Sequence, residues 1–201
     1  MAISFFQLGR KKVPNWSTLT DNALITYYLE GYEDAFTELY GRYKLKLYGF
    51  LNNHILSTTL DVDEIFEETW VKVIKSLSKY HDEGKFSAWL FTIARNIYIS
   101  KLRAAKVEFA STNIEEAVEI FDITANPQEE IVNSETFEAI NIAIAKLPLE
   151  QREVFLLRQQ DLSFKEIAII QQCSINTALA RMQYALKFLR TQLSKYYNKE
   201  M

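Results

Sequence analysis

The sequence predicts an all-α fold: two small helical domains joined by a linker. Three observations predict it. Only 5 Gly and 3 Pro occur in 201 residues, so helix-breaking punctuation is sparse. Apolar residues recur at helical spacing through most of the chain. Charge is segregated along it: residues 1–106 carry 14 basic and 12 acidic groups, 107–145 carry 9 acids and no Lys or Arg, and 146–201 carry 9 basic and 5 acidic groups. Two basic-leaning blocks flanking an acidic middle fit two small domains. The expected boundaries are 1–106, a linker at 107–127, and 128–201.

The elements follow in order. Residues 19–30 form a short helix, capped by Thr20 or Asp21 and broken by Gly31. From 33 to about 53, Phe36, Leu39, Tyr40, Tyr43, Leu47 and Phe50 keep helical spacing. After a polar break, 63 to about 77 forms a third helix whose inner stripe is Ile65, Phe66, Thr69, Val73 and Leu77. Its first turns hold Asp63, Glu64, Glu67 and Glu68, which suit a positive helix amino terminus. A loop at 80–85 precedes a fourth helix at 87–105, with Leu90, Ile93, Ala94, Ile97 and Leu102 inward. Residues 107–127 lack a sustained period, apart from a helical turn near 114–120. Four helices follow at about 128–146, 149–160, 163–171 and 174–195. Pro148 stands where a first helical turn tolerates it. Ser163 with Glu166 spells a capping box, and Ser174 caps the last helix.

Composition excludes several classes of function. The net charge is −3 and 48% of residues are apolar, ordinary values for a globular domain. The lone Cys173 excludes an internal disulfide framework and most cysteine-based zinc sites. No run reaches the ~20 apolar residues of a membrane span. The basic cluster Arg10, Lys11, Lys12 follows a short apolar stretch, the reverse of a secretory signal. A cytoplasmic location is expected. No glycine-rich nucleotide loop, metal-ligand cluster or nucleophile–base grouping is present, so neither catalytic residues nor cofactors are expected. His54 and His81 are isolated, which points to loop or surface positions.

Charge distribution and one motif point to nucleic acid. Between 85 and 106 stand Lys85, Arg95, Lys101, Arg103 and Lys106 with no acid, a pattern suited to a polyanion. Leu162-Ser163-Phe164-Lys165-Glu166-Ile167-Ala168, a break at Gln172-Cys173-Ser174, then a long helix, spells helix-turn-helix. In such a motif the second helix enters the major groove, and its early residues reach base edges. Its stripe Ala178, Met182, Ala185, Leu189 and Leu193 packs inward. The other side offers Asn176, Ala180, Gln183 and Lys187, flanked by Thr177, Arg181 and Tyr184. An ordinary helical hairpin produces the same pattern, so the motif alone leaves both readings open.

Longer strings of residues resemble a known family. Leu147-Pro148, Arg152-Glu153-Val154-Phe155, the 162–168 run, and Thr177 followed by Arg181 resemble region four of bacterial sigma factors. Phe36-Thr37-Glu38-Leu39-Tyr40, then Asp63-Glu64-Ile65-Phe66-Glu67-Glu68-Thr69-Trp70, then Phe86-Ser87-Ala88-Trp89-Leu90-Phe91-Thr92-Ile93-Ala94-Arg95-Asn96 resemble region two. Two domains with a short linker and no third domain between them are similar to the extracytoplasmic-function (ECF) subgroup of the sigma-70 family. The resemblance spans about 20–195.

The resemblance implies a non-enzymatic specificity subunit whose partners are core RNA polymerase (β′ clamp and β flap), promoter DNA and an anti-sigma factor. Region two would bind polymerase through Asp63, Glu64, Glu67, Glu68 and Trp70, an acidic face with an aromatic anchor. It would recognise and melt the minus-ten element through Lys85, Arg95, Asn96, Lys101 and Arg103, by phosphate contact and base stacking. Region four would read the minus-thirty-five element through Asn176, Thr177, Arg181, Gln183, Tyr184 and Lys187.

The chain departs from the family pattern in three places. Gln172 stands where the family has a turn glycine, at a cost of roughly 1 kcal/mol or more if its backbone is left-handed. Ala178-Leu179-Ala180-Arg181 replaces a more polar run, and Tyr184 replaces an arginine. Ser100 replaces an aspartate. Competing readings are a helix-turn-helix regulator working without polymerase, which leaves 63–103 unexplained, and a helical protein that no longer binds DNA.

Overall fold

Eight α-helices and two short 3-10 turns make up the described residues of the computed structural model, which are 14–55, 60–81, 85–112 and 134–197. No strand occurs among them. The helices are α1 (Asp21–Leu29), α2 (Glu33–Ile55), α3 (Val62–Ser76), α4 (Phe86–Thr112), α5 (Ser134–Ala145), α6 (Leu149–Gln159), α7 (Phe164–Ile170) and α8 (Ile175–Tyr197). The predicted helices are present within a few residues where the chain is described, with one larger difference; the first residues of the fifth, 128–133, lie outside the described residues. The fourth runs to Thr112, six residues into the stretch expected as linker. The turn expected near 114–120 and the basic cluster at 10–12 lie outside the described residues.

Helices α1–α4 form an amino-terminal bundle. Leu24, Leu39, Leu47, Phe50, Ile65, Val73, Leu90 and Phe91 are fully buried at its centre. Removing such apolar area from water, at about 25 cal/mol per Å², is what holds helices this size together. Arg42 of α2 ties down the chain's entry. It donates to Asp21 (2.9 Å), Glu38 (3.0 Å) and the carbonyls of Trp16 and Ser17. Thr20, rather than Asp21, caps α1 by accepting from the Ala23 N–H. Trp70 lies in this core and not on an exposed face: it is 5% exposed and packs on Phe36, Tyr40 and Phe66. The expected exposed anchor is therefore absent, because position 70 falls beside Thr69 and Val73 on the inner stripe.

Helices α5–α8 form the second bundle, around Leu147, Val154, Leu157, Ile167, Ile170, Ala178 and Ala185. The capping box of α7 is complete. Ser163 Oγ accepts from the Glu166 N–H, and Glu166 Oε2 accepts from the Ser163 N–H at 2.8 Å. Ser174 caps α8 by accepting from the Thr177 N–H at 3.0 Å. Three helix ends share one geometry. After α1, α6 and α7 the chain turns through a left-handed residue: Gly31 (φ 99°), Asp161 (φ 65°) and Gln172 (φ 53°). In each the next N–H returns to the helix: Tyr32 to Tyr27, Leu162 to Leu157, Cys173 to Ala168. This is the Schellman arrangement, which favours glycine at the left-handed position. Asp tolerates that region; Gln has no such advantage.

The bundles meet where α6 and α7 cover α2 and α4. Glu153 of α6 is fully buried there. Its carboxylate accepts from Arg95 Nε of α4 at 2.9 and 3.0 Å and from Gln171 Nε2 at 3.0 Å. His54 at the end of α2 is also fully buried, stacked on Phe50 and against Tyr98. This corrects the loop or surface position expected for it. Its Nε2 lies 3.5 Å from Glu153 Oε1, an ion-pair separation without hydrogen-bond alignment. Arg152 donates to the carbonyls of Ala145, Leu147 and His54, so one guanidinium serves the carboxyl ends of two helices from different bundles.

Burial pushes the His54 pKa down from 6.5, more than facing Glu153 raises it; Arg152 and Arg95 push the same way as burial. Burial alone would push the Glu153 carboxyl up, but His54 and Arg95 outweigh it and hold it below the usual range. Both depressed pKa values give stability that is present at neutral pH and lost on acidification. His54 acts first: below its unfolded value of 6.5 the unfolded chain takes a proton that the folded chain refuses.

Denaturation midpoints should therefore fall as pH drops from about 6.5, with a slope of at most about 1.4 kcal/mol per unit from this group. His54→Phe should flatten that limb and leave the steeper loss below about pH 4.5, where carboxylates protonate. Gln172→Gly should stabilise the chain by about 0.5–1 kcal/mol, since glycine takes the left-handed turn without steric cost; urea denaturation measures it.

Candidate nucleic-acid interface

Helix α4 and the residue before it place the five expected cationic and amide side chains in different settings. Asn96 and Arg103 are exposed on its surface. Arg95, one residue before Asn96, is only 17% exposed because Glu153 holds it. Lys101 reaches back to α3 and pairs with Glu64 at 2.8 Å and Glu68 at 3.1 Å. Lys85, half-buried just before α4, lines an opening with Lys165, Ile169, Gln172, Cys173 and Ile175 at the turn between α7 and α8. The aromatic group at this end is packed: Trp89 lies tilted against Tyr80 (centroids 4.6 Å apart) and Phe86 (5.7 Å).

The acidic face of α3 is open to solvent. Asp61 caps the helix through the N–H groups of Asp63 and Glu64, and Asp63, Glu64, Glu67 and Glu68 are all exposed. Beside them stand the exposed apolar side chains of Val71 and Ile74, one turn from buried Trp70. The apolar component of this face is thus aliphatic.

On α8 the expected division of faces is present. Ala178, Ala185 and Leu189 are buried, whereas Asn176, Thr177, Gln183, Tyr184 and Lys187 are exposed. Arg181 is half-buried and donates to Gln171 Oε1 at 2.9 Å. Leu179 and Tyr184 add exposed apolar surface to the side that would meet a groove.

Sequence reasoning missed the group that joins these helices. Arg95, Glu153, Gln171 and Arg181 form one hydrogen-bonded chain from α4 through α6 and the end of α7 to α8. The available signal was the Arg152-Glu153 pair inside an apolar stripe, since adjacent charges on a buried face demand partners from elsewhere. The expected DNA-binding set is consequently divided. Asn96 and Arg103 stand free of the second bundle, Arg95 and Arg181 are engaged inside the molecule, and Lys101 belongs to the acidic face of α3.

Comparison with known proteins finds relatives for both bundles. The family Sigma-70 region 2 matches residues 39–107, and the family Sigma-70, region 4 matches 137–189. Among curated proteins the chain is 27% identical over 183 residues to the ECF RNA polymerase sigma-E factor of Haemophilus influenzae, covering 87% of this chain and 96% of that one. It is 29% identical over 172 residues to the ECF RNA polymerase sigma factor SigW of Bacillus subtilis, covering 82% and 91%. Among solved structures, the sigma factor RpoE in complex with the anti-sigma factor NepR from Bartonella quintana superposes with a TM-score of 0.64 at 22% identity, over 78% of this chain and 97% of that one. CnrH in complex with the cytosolic domain of CnrY gives 0.62 at 22% identity, over 87% and 97%. With region 2 and region 4 matched in order over more than half its length, and relatives of its own size, the chain belongs to the sigma-70 family as a member of the ECF group.

Proposed function

We propose that this sigma factor binds core RNA polymerase through α3 and directs promoter-specific initiation through α4 and α8. The two units of the work are 1–106 and 128–201, with 107–127 as the acidic connection. The carrying observation is the pairing of an exposed acidic α3 with exposed Asn96 and Arg103 on the neighbouring α4. One bundle can then face a basic partner and a nucleic acid at once.

Asp63, Glu64, Glu67 and Glu68 would meet a basic coiled coil on the β′ clamp, with Val71 and Ile74 supplying apolar contact. Asn96 would read an unstacked minus-ten base; Arg103, Arg95 and Lys85 would hold phosphates. Lys101 would act less as a phosphate ligand than as a tie that orders Glu64 and Glu68. On α8, Asn176, Thr177 and Gln183 would face base edges of the minus-thirty-five element, with Lys187 and Arg181 toward phosphates and Tyr184 beside them. The second unit would also touch the β flap. Two of the structural relatives are in complexes, one with the anti-sigma factor NepR and one with the cytosolic domain of CnrY. That supports an anti-sigma factor as a further partner here. The work is that of a cytoplasmic binding subunit without catalysis of its own. No described helix is long and apolar enough to cross a membrane.

Glu67→Lys should weaken core-polymerase binding by about tenfold or more with unchanged thermal stability, because the change sets a positive charge against a basic partner at an exposed position. Fluorescence titration with labelled polymerase measures it, and unchanged affinity would remove α3 from the interface. In holoenzyme, Arg103→Ala should lower promoter affinity across sequences and reduce the salt slope by about one phosphate contact. Asn96→Ala should instead relax preference at one base, read by selection from a randomised promoter pool.

A further inference from the structure

Helix α8 combines cationic charge with an apolar leading surface. Arg181, Lys187, Arg190 and Lys195 lie on it, and no acid occurs between Ile175 and Tyr197. Such a charge balance suits a polyanion. Yet Leu179 is 37% exposed, and Ile175, one turn earlier, is 43% exposed. Ala180 adds a half-buried methyl, while Asn176 and Gln183 are exposed on either side of this pair. The one cation within 175–186 is Arg181, which is half-buried and donates to Gln171 Oε1 at 2.9 Å. Lys187 lies more than two turns past Leu179, about 12 Å along the axis.

Major-groove chemistry gives this combination a meaning. Guanine presents two acceptors, which call for Arg or Lys. Adenine presents a donor and an acceptor, which a side-chain amide meets. Thymine carries a 5-methyl group, which takes apolar contact. The first turns of α8 offer two amides, Asn176 and Gln183, with the carbons of Leu179 and Ala180 between them, and their one cation is already engaged.

We propose that Leu179, with Ala180 beside it, is a specificity-determining residue that packs on thymine 5-methyl groups in the minus-thirty-five element, so that this chain selects A·T pairs there. The inference deepens the reading of α8 given above and rests on it. Leu179 and Gln183 are neighbours at i,i+4, so a leucine on a thymine methyl places the amide beside the next base edges. Leu179 also acts by exclusion. Cytosine N4 or guanine O6 set against its methyl groups would lose water and gain no partner. The apolar surface of α8 is thus a reading surface that works by methyl contact, while Lys187 and Arg190 supply charge further along the helix.

The test uses holoenzyme, formed from the full chain and core polymerase, and a duplex promoter pool randomised at both elements. Duplexes recovered by binding should carry A·T pairs at adjacent positions of the upstream element. The recovered duplex is then remade with deoxyuridine at single upstream thymines, which removes the 5-methyl group and leaves every hydrogen-bonding atom in place. At one or two positions this should weaken binding about fourfold, the factor for one buried methyl-sized group. Leu179→Ala should bind the thymine duplex more weakly and no longer distinguish it from the deoxyuridine duplex. Leu179→Arg should shift selection at that position toward guanine. Deoxyuridine tests the parent chain without any mutation, so the result does not depend on how a variant folds. If the upstream element is enriched but deoxyuridine changes nothing, or Leu179→Ala keeps the full preference for thymine, the inference fails and α8 remains a DNA-reading helix. If Leu179→Ala lowers affinity for core polymerase and leaves the thymine preference intact, the apolar surface meets protein and the inference also fails. If no upstream sequence is enriched and Lys187→Ala leaves promoter affinity unchanged, the DNA role of α8 itself fails and takes the inference with it.

Discussion

A single carboxylate buried without solvent sets the terms for the whole molecule. An ionised Glu at zero exposure is tolerable only when its oxygens are filled, and stripping a partner from such a group costs several kcal/mol. Glu153 therefore dictates what surrounds it: an arginine from α4, an amide from the end of α7, and an imidazole from α2. Each demand fixes another element. Gln171 can supply its amide only where the turn after α7 bends back, and that turn runs through Gln172 in a strained conformation. Arg152, beside Glu153, draws in the ends of α5 and α2. One apolar core runs through both bundles; this polar cluster adds directed contacts where one bundle sits on the other.

Much of the fold was legible in the sequence because helices announce themselves locally. Spacing of Phe36, Leu39 and Leu47, the Ser163–Glu166 box and the Ser174 cap are properties of a few consecutive residues, and the structure places them as read. The resemblance of Asp63–Trp70 and Phe86–Asn96 to a known region added topology that periodicity could not. What stayed hidden depends on partners far away in sequence. His54 looked isolated because Glu153 is 99 positions along the chain, and no local signal marks such a pairing. Arg95 looked like a free cation for the same reason. Trp70 misled differently: an aromatic among acids reads as an anchor, but one turn of helix places it beside Thr69 and Val73. The end of α4 was misplaced because loss of an apolar period was taken for loss of helix.

The candidate surfaces are likewise less separate than a residue inventory suggests. Lys101 belongs by sequence to the basic stretch of α4, yet its ammonium rests between two acids of α3. Exposed pairs of this kind contribute little to stability. Their effect is on arrangement: Glu64 and Glu68 are held at fixed spacing on a face that Asp63 and Glu67 extend. A contact made on the acidic side and one made on α4 therefore share a side chain.

Glu166 divides its labour between two oxygens. Oε2 closes the capping box on Ser163, and Oε1 takes the Ser87 hydroxyl from the other bundle. Fold and docking thus draw on the same residue without competing for the same lone pairs. Exchange of the Ser87 hydroxyl for another donor would therefore leave the first turn of α7 capped, and the short helix keeps its own start whatever lies against its outer oxygen.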